Sequence, residues 1–239
     1  YMLLGRFADA ERETAVAQQT FQYSGNTLGL AQCLYTSASN LRRQTRFEAA
    51  KSDFTAALAL FQDAGAAVQI AITTFQLGQI HWWSQYDEAA AATLLQAAAQ
   101  FAAADLPLWQ AQCQFGLGQI YQQTGQLAAA TAAVQSARET FAQFKLRGLW
   151  ADSLFDSGWL AYYYGQYQTS LDYFQQAQTL YWEIGAHWQH ALILMHEGEV
   201  YVQMGLFQRA LQRLEDSHSR LQTLGFPQRL AACEIRLAR

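Results

Sequence analysis

The run LGQIYQQTGQLAAATAAVQSA, residues 117–137, reads as two helices folded about one glycine. Before Gly125, the apolar residues Leu117, Ile120 and Tyr121 recur at helical spacing, and the same pattern runs back through Phe115 and Ala111. A helix is therefore predicted from Leu106 to Gln123. Asp105 is placed as its N-cap, and Pro107 falls in the first turn, where no N–H is needed. Gly125 breaks the chain, and a second, alanine-rich helix follows from Leu127 to Phe141.

The rest of the chain repeats this unit. Alanine stands at 31, 71, 111, 151, 191 and 231, always 40 residues apart. Phe21, Phe61, Phe101, Phe141, Tyr181 and Leu221 keep the same spacing, as do Ala38, Gly78, Gly118, Gly158 and Gly198. Gly65, Gly185 and Gly225 lie just past the ends of the corresponding second helices, where a left-handed C-cap is wanted. Helix pairs joined by short connections must bury their inner faces on each other and on the next pair. The predicted fold class is all-α: an α-solenoid of antiparallel helix pairs.

Residues 117–137 resemble a tetratricopeptide (TPR) repeat. Leu117 and Gly118 match its first-helix pair, Tyr121 its aromatic, Gly125 and Leu127 its turn, and Ala130 the small residue of its second helix, followed by Val134 and Ala137. Gly165, Tyr167, Ser170, Phe174 and Ala177 repeat the skeleton, as do Gly205, Phe207, Ala210, Leu214 and Ser217, with an early copy at Gly5, Phe7 and Ala10. The commonest repeat of the family has about 34 residues. These longer units are similar to the 40-residue type of bacterial regulatory and signalling proteins. The resemblance covers the whole chain and implies a right-handed superhelix of about six repeats. The units are expected at 26–65, 66–105, 106–145, 146–185 and 186–225, with partial copies at 1–25 and 226–239. The second repeat is one residue short around Trp83 to Tyr86. Apolar ends (Met2, Leu3 and Leu4; Ile235 and Leu237) mark the chain as a single array cut from a longer protein, and any end-to-end self-association through those ends is expected to be an artefact of the cut.

Composition narrows the function. Charged residues are 14% of the chain and the net charge is −4, whereas ordinary soluble proteins carry roughly 25% charged residues. About 30 glutamines supply the polarity instead. No lysine or arginine occurs between Lys51 and Arg138, although five acidic residues do. A surface that tracks phosphates needs repeated cations, so nucleic acid is not an expected partner. The clusters Arg42, Arg43, Arg46 and Arg209, Arg213 read as solvated helix faces. No apolar run is long enough to span a membrane.

The sequence carries no pattern that reads as catalytic or metal-binding. Cys33, Cys113 and Cys233 occupy one repeat position, too far apart for a disulfide. They read as small packing residues, and their free state fits a reducing cytoplasm. His187, His190 and the His196–Glu199 pair lack the convergent third ligand that zinc requires. Asp152 and Asp156 have no nucleophile beside them. Gly116 and Gly118 lie within a helix, so they form no phosphate loop; Gly118 is the small residue that lets two helices approach. No enzyme, metal or cofactor is expected.

The resemblance does imply a binding surface. In this family the first helix of each pair lines the concave face, at positions two, five, nine, twelve and thirteen counted from the recurring alanine. On this chain those positions select a partner-binding set of Tyr35, Arg42 and Arg43; Phe75, Gln79, Trp82 and Trp83; Phe115, Gln119 and Gln122; Phe155, Trp159, Tyr162 and Tyr163; and Met195 and Glu199. Aromatic rings give large contact area at low entropic cost, and glutamine amides pair with an extended backbone in either direction. A protein or peptide partner is expected. The alternative reading is that the recurring Phe75, Phe115 and Phe155 are packing, and that the missing residue turns Trp82 into the core. Chaperone-binding relatives clamp a carboxylate with a cation at position five and asparagine at position nine. That clamp is absent here.

Overall fold

In the computed structural model, each described turn places one residue in the left-handed region, spaced by multiples of 20 positions. It is glycine at 25, 65, 125, 165, 185, 205 and 225, and Thr45, Asp105 and Lys145 elsewhere. The structure describes residues 7–84 and 88–237, with the side chains of Trp83 and Ser84 excepted. At these turns the backbone closes on itself: Lys145 N–H donates to the Ala142 carbonyl at 3.1 Å, and Leu146 N–H to the Phe141 carbonyl at 2.9 Å. This is the Schellman arrangement, which satisfies the last carbonyls of one helix while reversing the chain. Three residues of turn and about 17 of helix make half a repeat.

Asp105 is the αL residue of such a turn, with φ of 54°. Leu106 is the N-cap of the next helix, without a side-chain cap bond. The expected N-cap role of Asp105 is thereby corrected: the three-residue turn puts the capping position one residue later. Among the described residues a side-chain cap does form at Asn26, whose Oδ1 accepts from Gly29 N–H at 2.8 Å.

Helices are the only regular elements among the described residues, and they group into two compact units. The first, residues 1–124, contains α1 (Phe7–Tyr23), α2 (Thr27–Arg43), α3 (Phe47–Asp63), α4 (Ala67–Ser84), α5 (Glu88–Ala103) and α6 (Pro107–Gln123). Here α2 packs on α3 and α4 on α5, while α1 covers α2, α3 touches α4, and α5 touches α6. The second unit, residues 125–239, contains α7 (Leu127–Gln143), α8 (Arg147–Tyr163), α9 (Tyr167–Glu183), α10 (His187–Gln203), α11 (Phe207–Leu224) and α12 (Pro227–Leu237). Its pairs are α8 with α9 and α10 with α11, stacked through α7 on α8, α9 on α10 and α11 on α12. The expectations for Tyr1 to Leu4, and for the residue missing around Trp83 to Tyr86, fall outside the described residues.

The 40-residue period is the period of the core. Ala31, Ala71, Ala151 and Ala191 are fully buried, as are Phe101, Phe141 and Leu221. Burying each large ring of this set contributes about 1.5–3 kcal/mol. The recurring glycine is a point of helix contact. A Cβ at Gly78 would stand 2.7 Å from a methyl of Leu94, one at Gly198 2.8 Å from Leu214, and one at Gly158 2.5 Å from the ring of Phe174. In each case the partner lies 16 residues on, in the second helix of the same pair. This contact fixes the roll of each first helix, and thereby which residues look outward.

Candidate functional site

With the recurring alanine and glycine of a first helix turned inward, positions two, nine, twelve and thirteen reach the surface. In the second unit this surface is aromatic. Trp159 of α8 is half-buried and central. Its ring lies 5.3 Å from Tyr162, 5.9 Å from Tyr163 at 30° between planes, and 6.4 Å from Phe155. Phe155 is half-buried against Phe174 at 5.7 Å. Tyr163 ends the row in solvent, 53% exposed, and Val202 on α10 is also exposed. Met195 departs from the expected surface set. It is buried at 2% exposure and packs with Ala191, Leu214 and Cys233, because position five of this helix faces the next pair.

Beneath Trp159 lies a polar cluster. The His196 ring sits 4.8 Å from Trp159 and 5.3 Å from Phe155. Its Nδ1 is 3.0 Å from Glu199 Oε2, while Glu199 Oε1 accepts from the Arg236 Nε–H of α12. Burial pulls the His196 pKa down, and the Glu199 carboxylate opposes that shift only in part. Burial acts to raise the Glu199 carboxyl, but the bonds and charges of His196 and Arg236 outweigh it, so its net shift is downward. Tyr162 is raised, first by burial and then by the Glu199 charge. Glu199, expected from its position to be a contact residue, is thus occupied within the chain.

In the first unit, Tyr35 packs edge-on against Phe54 at 5.3 Å, and its Oη accepts from Gln76 Nε2 at 3.4 Å. Phe75 is buried at 3% exposure between Phe101 at 6.4 Å and Trp109 at 5.7 Å. Like Met195, it belongs to packing. Gln79 accepts from Arg42 Nη1 at 3.4 Å, Arg43 is exposed, and Trp82 is half-buried. Phe115, Gln119 and Gln122 are half-buried on α6. Trp83 stands in the last turn of α4, and its side chain lies outside the described residues. Between α2 and α4 opens a cleft of about 190 Å³, walled by Gln32, Tyr35, Ile72 and Thr73 with buried Phe61.

The residues set aside as catalytic or metal-binding candidates have structural employment. His187 and His190 lie against the Trp182 ring, at 5.2 and 5.3 Å. Asp152 accepts from Tyr181 Oη at 2.6 Å within one helix pair. Burial of Asp152 raises its pKa, a shift that this bond opposes. Cys113 and Cys233 are buried free thiols, Cys33 is partly so, and burial pushes Cys113 up to about 12. Among the described residues no three His, Cys, Asp or Glu side chains converge as a metal site, and no helix is long and apolar enough to cross a membrane. Sequence reasoning saw the His196–Glu199 spacing but missed Arg236. The signal for it was the period: Arg42–Gln79 and Glu199–Arg236 are both 37 residues apart, one repeat less one helical turn.

No family model and no curated protein matches the chain. Solved structures do. BtubC from P. vanneervenii superposes with a TM-score of 0.78 at 18% identity, over 95% of this chain and 93% of that one. A Rap protein complexed with competence and sporulation factor gives 0.69 at 13% identity, over 99% of this chain and 71% of that one. A signal transduction ATPase with numerous domains and a tetratricopeptide repeat sensor, from Pyrococcus horikoshii, gives 0.74 at 12% identity, over 87% of this chain and 34% of that one. The solved structures that resemble this chain are tetratricopeptide-type helical-repeat proteins, and the chain has their fold: helix pairs packed in sequence order.

Proposed function

We propose that the first-helix faces hold a segment of a partner protein, an extended peptide or a helix, and that the chain works as a non-catalytic interaction scaffold. The carrying observation is the aromatic row of α8, which runs from half-buried Trp159 to Tyr163 at 53% exposure. Rings anchored at one end and open at the other suit a hot spot, because they are ordered before the partner arrives. The cleft beside Tyr35 offers a second place for an apolar side chain. Support comes also from the likeness to the Rap protein solved with competence and sporulation factor. Tyr35, Gln79, Trp82, Trp83, Phe115, Gln119 and Gln122 are proposed as contacts in the first unit, and Phe155, Trp159, Tyr162 and Tyr163 in the second. Residues 1–239 are read as one array, working in a reducing cytoplasm.

A second reading is a sensor segment of a multidomain signalling protein, beside an ATPase or a caspase-like protease. The likeness to the tetratricopeptide repeat sensor of the P. horikoshii ATPase favours it. Both readings need the aromatic row to be a contact surface; a passive spacer does not.

The test is selection of a random peptide library against residues 1–239, followed by titration of the enriched peptides into a Tyr162→Ala, Tyr163→Ala variant that melts like the parent. Peptides that lose tenfold or more in affinity, about 1.4 kcal/mol, support the reading. Enriched peptides that bind both proteins equally would remove function from this row.

A further inference from the structure

On the other side of α8 from Trp159 lies a second concave feature. Ser157 is two residues earlier and therefore about 200° round the helix. The pocket encloses about 110 Å³ between α7, α8 and α9, and its walls include Thr131, Gln135, Arg138, Ser157, Thr169 and Tyr173. Arg138 is the cation that ends the long stretch without lysine or arginine. Its guanidinium lies over the Tyr173 ring, 4.9 Å from the centroid, and its Nη1 donates to Ser157 Oγ at 2.9 Å. Ser157 in turn donates to the Ser153 carbonyl at 2.8 Å. No carboxylate pairs with Arg138 among the described residues. Glu139, its neighbour in sequence, is exposed and accepts from Gln135 Nε2 at 3.0 Å instead.

One repeat later the same place in the fold is again a pocket, of about 240 Å³, between α9, α10 and α11. The residues 40 positions on from Arg138, Ser157 and Tyr173 are Gln178, Glu197 and Arg213, and all three line it. There the charge is balanced internally: Glu197, 7% exposed, pairs with Arg213 at 3.1 Å. The two sites share a backbone frame and differ in charge. The later one holds a cation with its carboxylate, whereas the earlier one holds a cation among hydroxyl and amide groups.

We propose that the Arg138 pocket binds a small oxyanion, which supplies the negative charge that Glu197 supplies one repeat later. A planar guanidinium held by stacking and one hydrogen bond keeps its other N–H groups free for bidentate bonding to an oxyanion. The pocket, of about 110 Å³, has room for one phosphate or carboxylate group beside the guanidinium. The neighbouring Thr169 hydroxyl and Gln135 amide add donors of the kind that phosphate and sulfate accept. The site lies outside the first-helix faces and does not depend on the peptide-binding reading.

The experiment is an NMR titration of residues 1–239 with inorganic phosphate, against sodium chloride at equal ionic strength, reading the Arg138 Nε–Hε resonance. Saturable movement with phosphate and none with chloride is the expected result. Acetate in a parallel arm distinguishes the sources of the anion: binding of phosphate over acetate assigns a phosphoryl or sulfuryl group, and the reverse a carboxylate. Arg138→Gln, which installs the residue of the next repeat, should weaken binding about tenfold or more. Ser157→Glu should abolish it by closing an internal ion pair like that of Glu197 and Arg213. A wild-type resonance that moves no more with either anion than with chloride overturns the proposal, whatever the variants do. So does unchanged affinity in a folded Arg138→Gln protein.

Discussion

Gly158→Ala sets two well-characterised effects against each other. In a helix interior alanine is favoured over glycine by about 1 kcal/mol, so propensity alone makes the substitution stabilising. Packing opposes it. The new Cβ would stand 2.5, 2.6 and 3.1 Å from three atoms of the Phe174 ring, where carbon atoms ordinarily rest about 3.5–4.0 Å apart. The ring has nowhere to go, because it is fully buried and lies 5.7 Å from Phe155, 6.1 Å from Trp159 and 6.3 Å from His196. Relief therefore requires α8 and α9 to separate by about 1 Å. Overpacking costs about 1–3 kcal/mol, and three contacts this short belong at the upper end. The net expectation is a loss of about 2 kcal/mol, or a fall in Tm of about 4–8 °C for a chain of this size, read by urea and thermal unfolding with circular dichroism. Ala38 is the control. It occupies the equivalent position and faces buried Phe54, so there the helix pair is already spaced for a methyl. Ala38→Gly should also destabilise, by about 1 kcal/mol. A Gly158→Ala protein as stable as the parent, or more so, would refute the claim that glycine sets the approach of the two helices.

Two further outcomes follow from single residues. Lys145 holds φ of 55° at a turn position where most repeats have glycine; Lys145→Gly should raise stability by about 0.5–1 kcal/mol in a urea melt, since the strain relieved exceeds the added freedom of the unfolded chain. His196 has a pKa lowered by burial, so the unfolded chain binds its proton first as pH falls. The stability tied to its neutral form is therefore complete above about pH 6.5 and is lost as pH drops from there toward the folded value. His190 is lowered in the same sense, so His196→Phe should flatten part, not all, of the decline in unfolding free energy between pH 7 and 5.

What was legible in the sequence is what the backbone repeats. Turns, helix pairs and the fully buried column of Ala31, Ala71, Ala151 and Ala191 all follow one period, because the same backbone contact recurs in each unit. The candidate surface was legible only as a set of positions. Position five illustrates the limit: Phe155 stays half-buried, whereas Phe75 is closed over by Trp109 and Met195 sinks against Leu214 and Cys233. Exposure at a fixed position depends on what the neighbouring helices contribute, and those residues do not repeat. The His196–Glu199 pair was legible by its spacing within one helix, whereas Arg236 comes from another helix pair and was signalled only by the 37-residue offset that Arg42 and Gln79 share.

The period has a further use, because it makes the chain its own comparison. Equivalent positions share backbone geometry, so a change of side chain between repeats is a substitution made on a constant frame. Gly158 with Phe174, set beside Ala38 with Phe54, shows one contact tuned by helix spacing. Ser157, set beside Glu197, shows one pocket wall changed from hydroxyl to carboxylate, while the cation moves from Arg138 to Arg213, the position that Tyr173 holds in the earlier pocket. Aromatic side chains are distributed in the same way. Positions nine, twelve and thirteen hold Gln119, Gln122 and Gln123 on α6 but Trp159, Tyr162 and Tyr163 on α8. The frame cannot account for that difference, because it is the same in both helices. Neighbouring helices account for part of it, since Trp159 packs on Phe174 and His196, whereas Tyr163 ends in solvent. The exposed end of the α8 row, at Tyr163, is where the proposed partner contact is to be tested first.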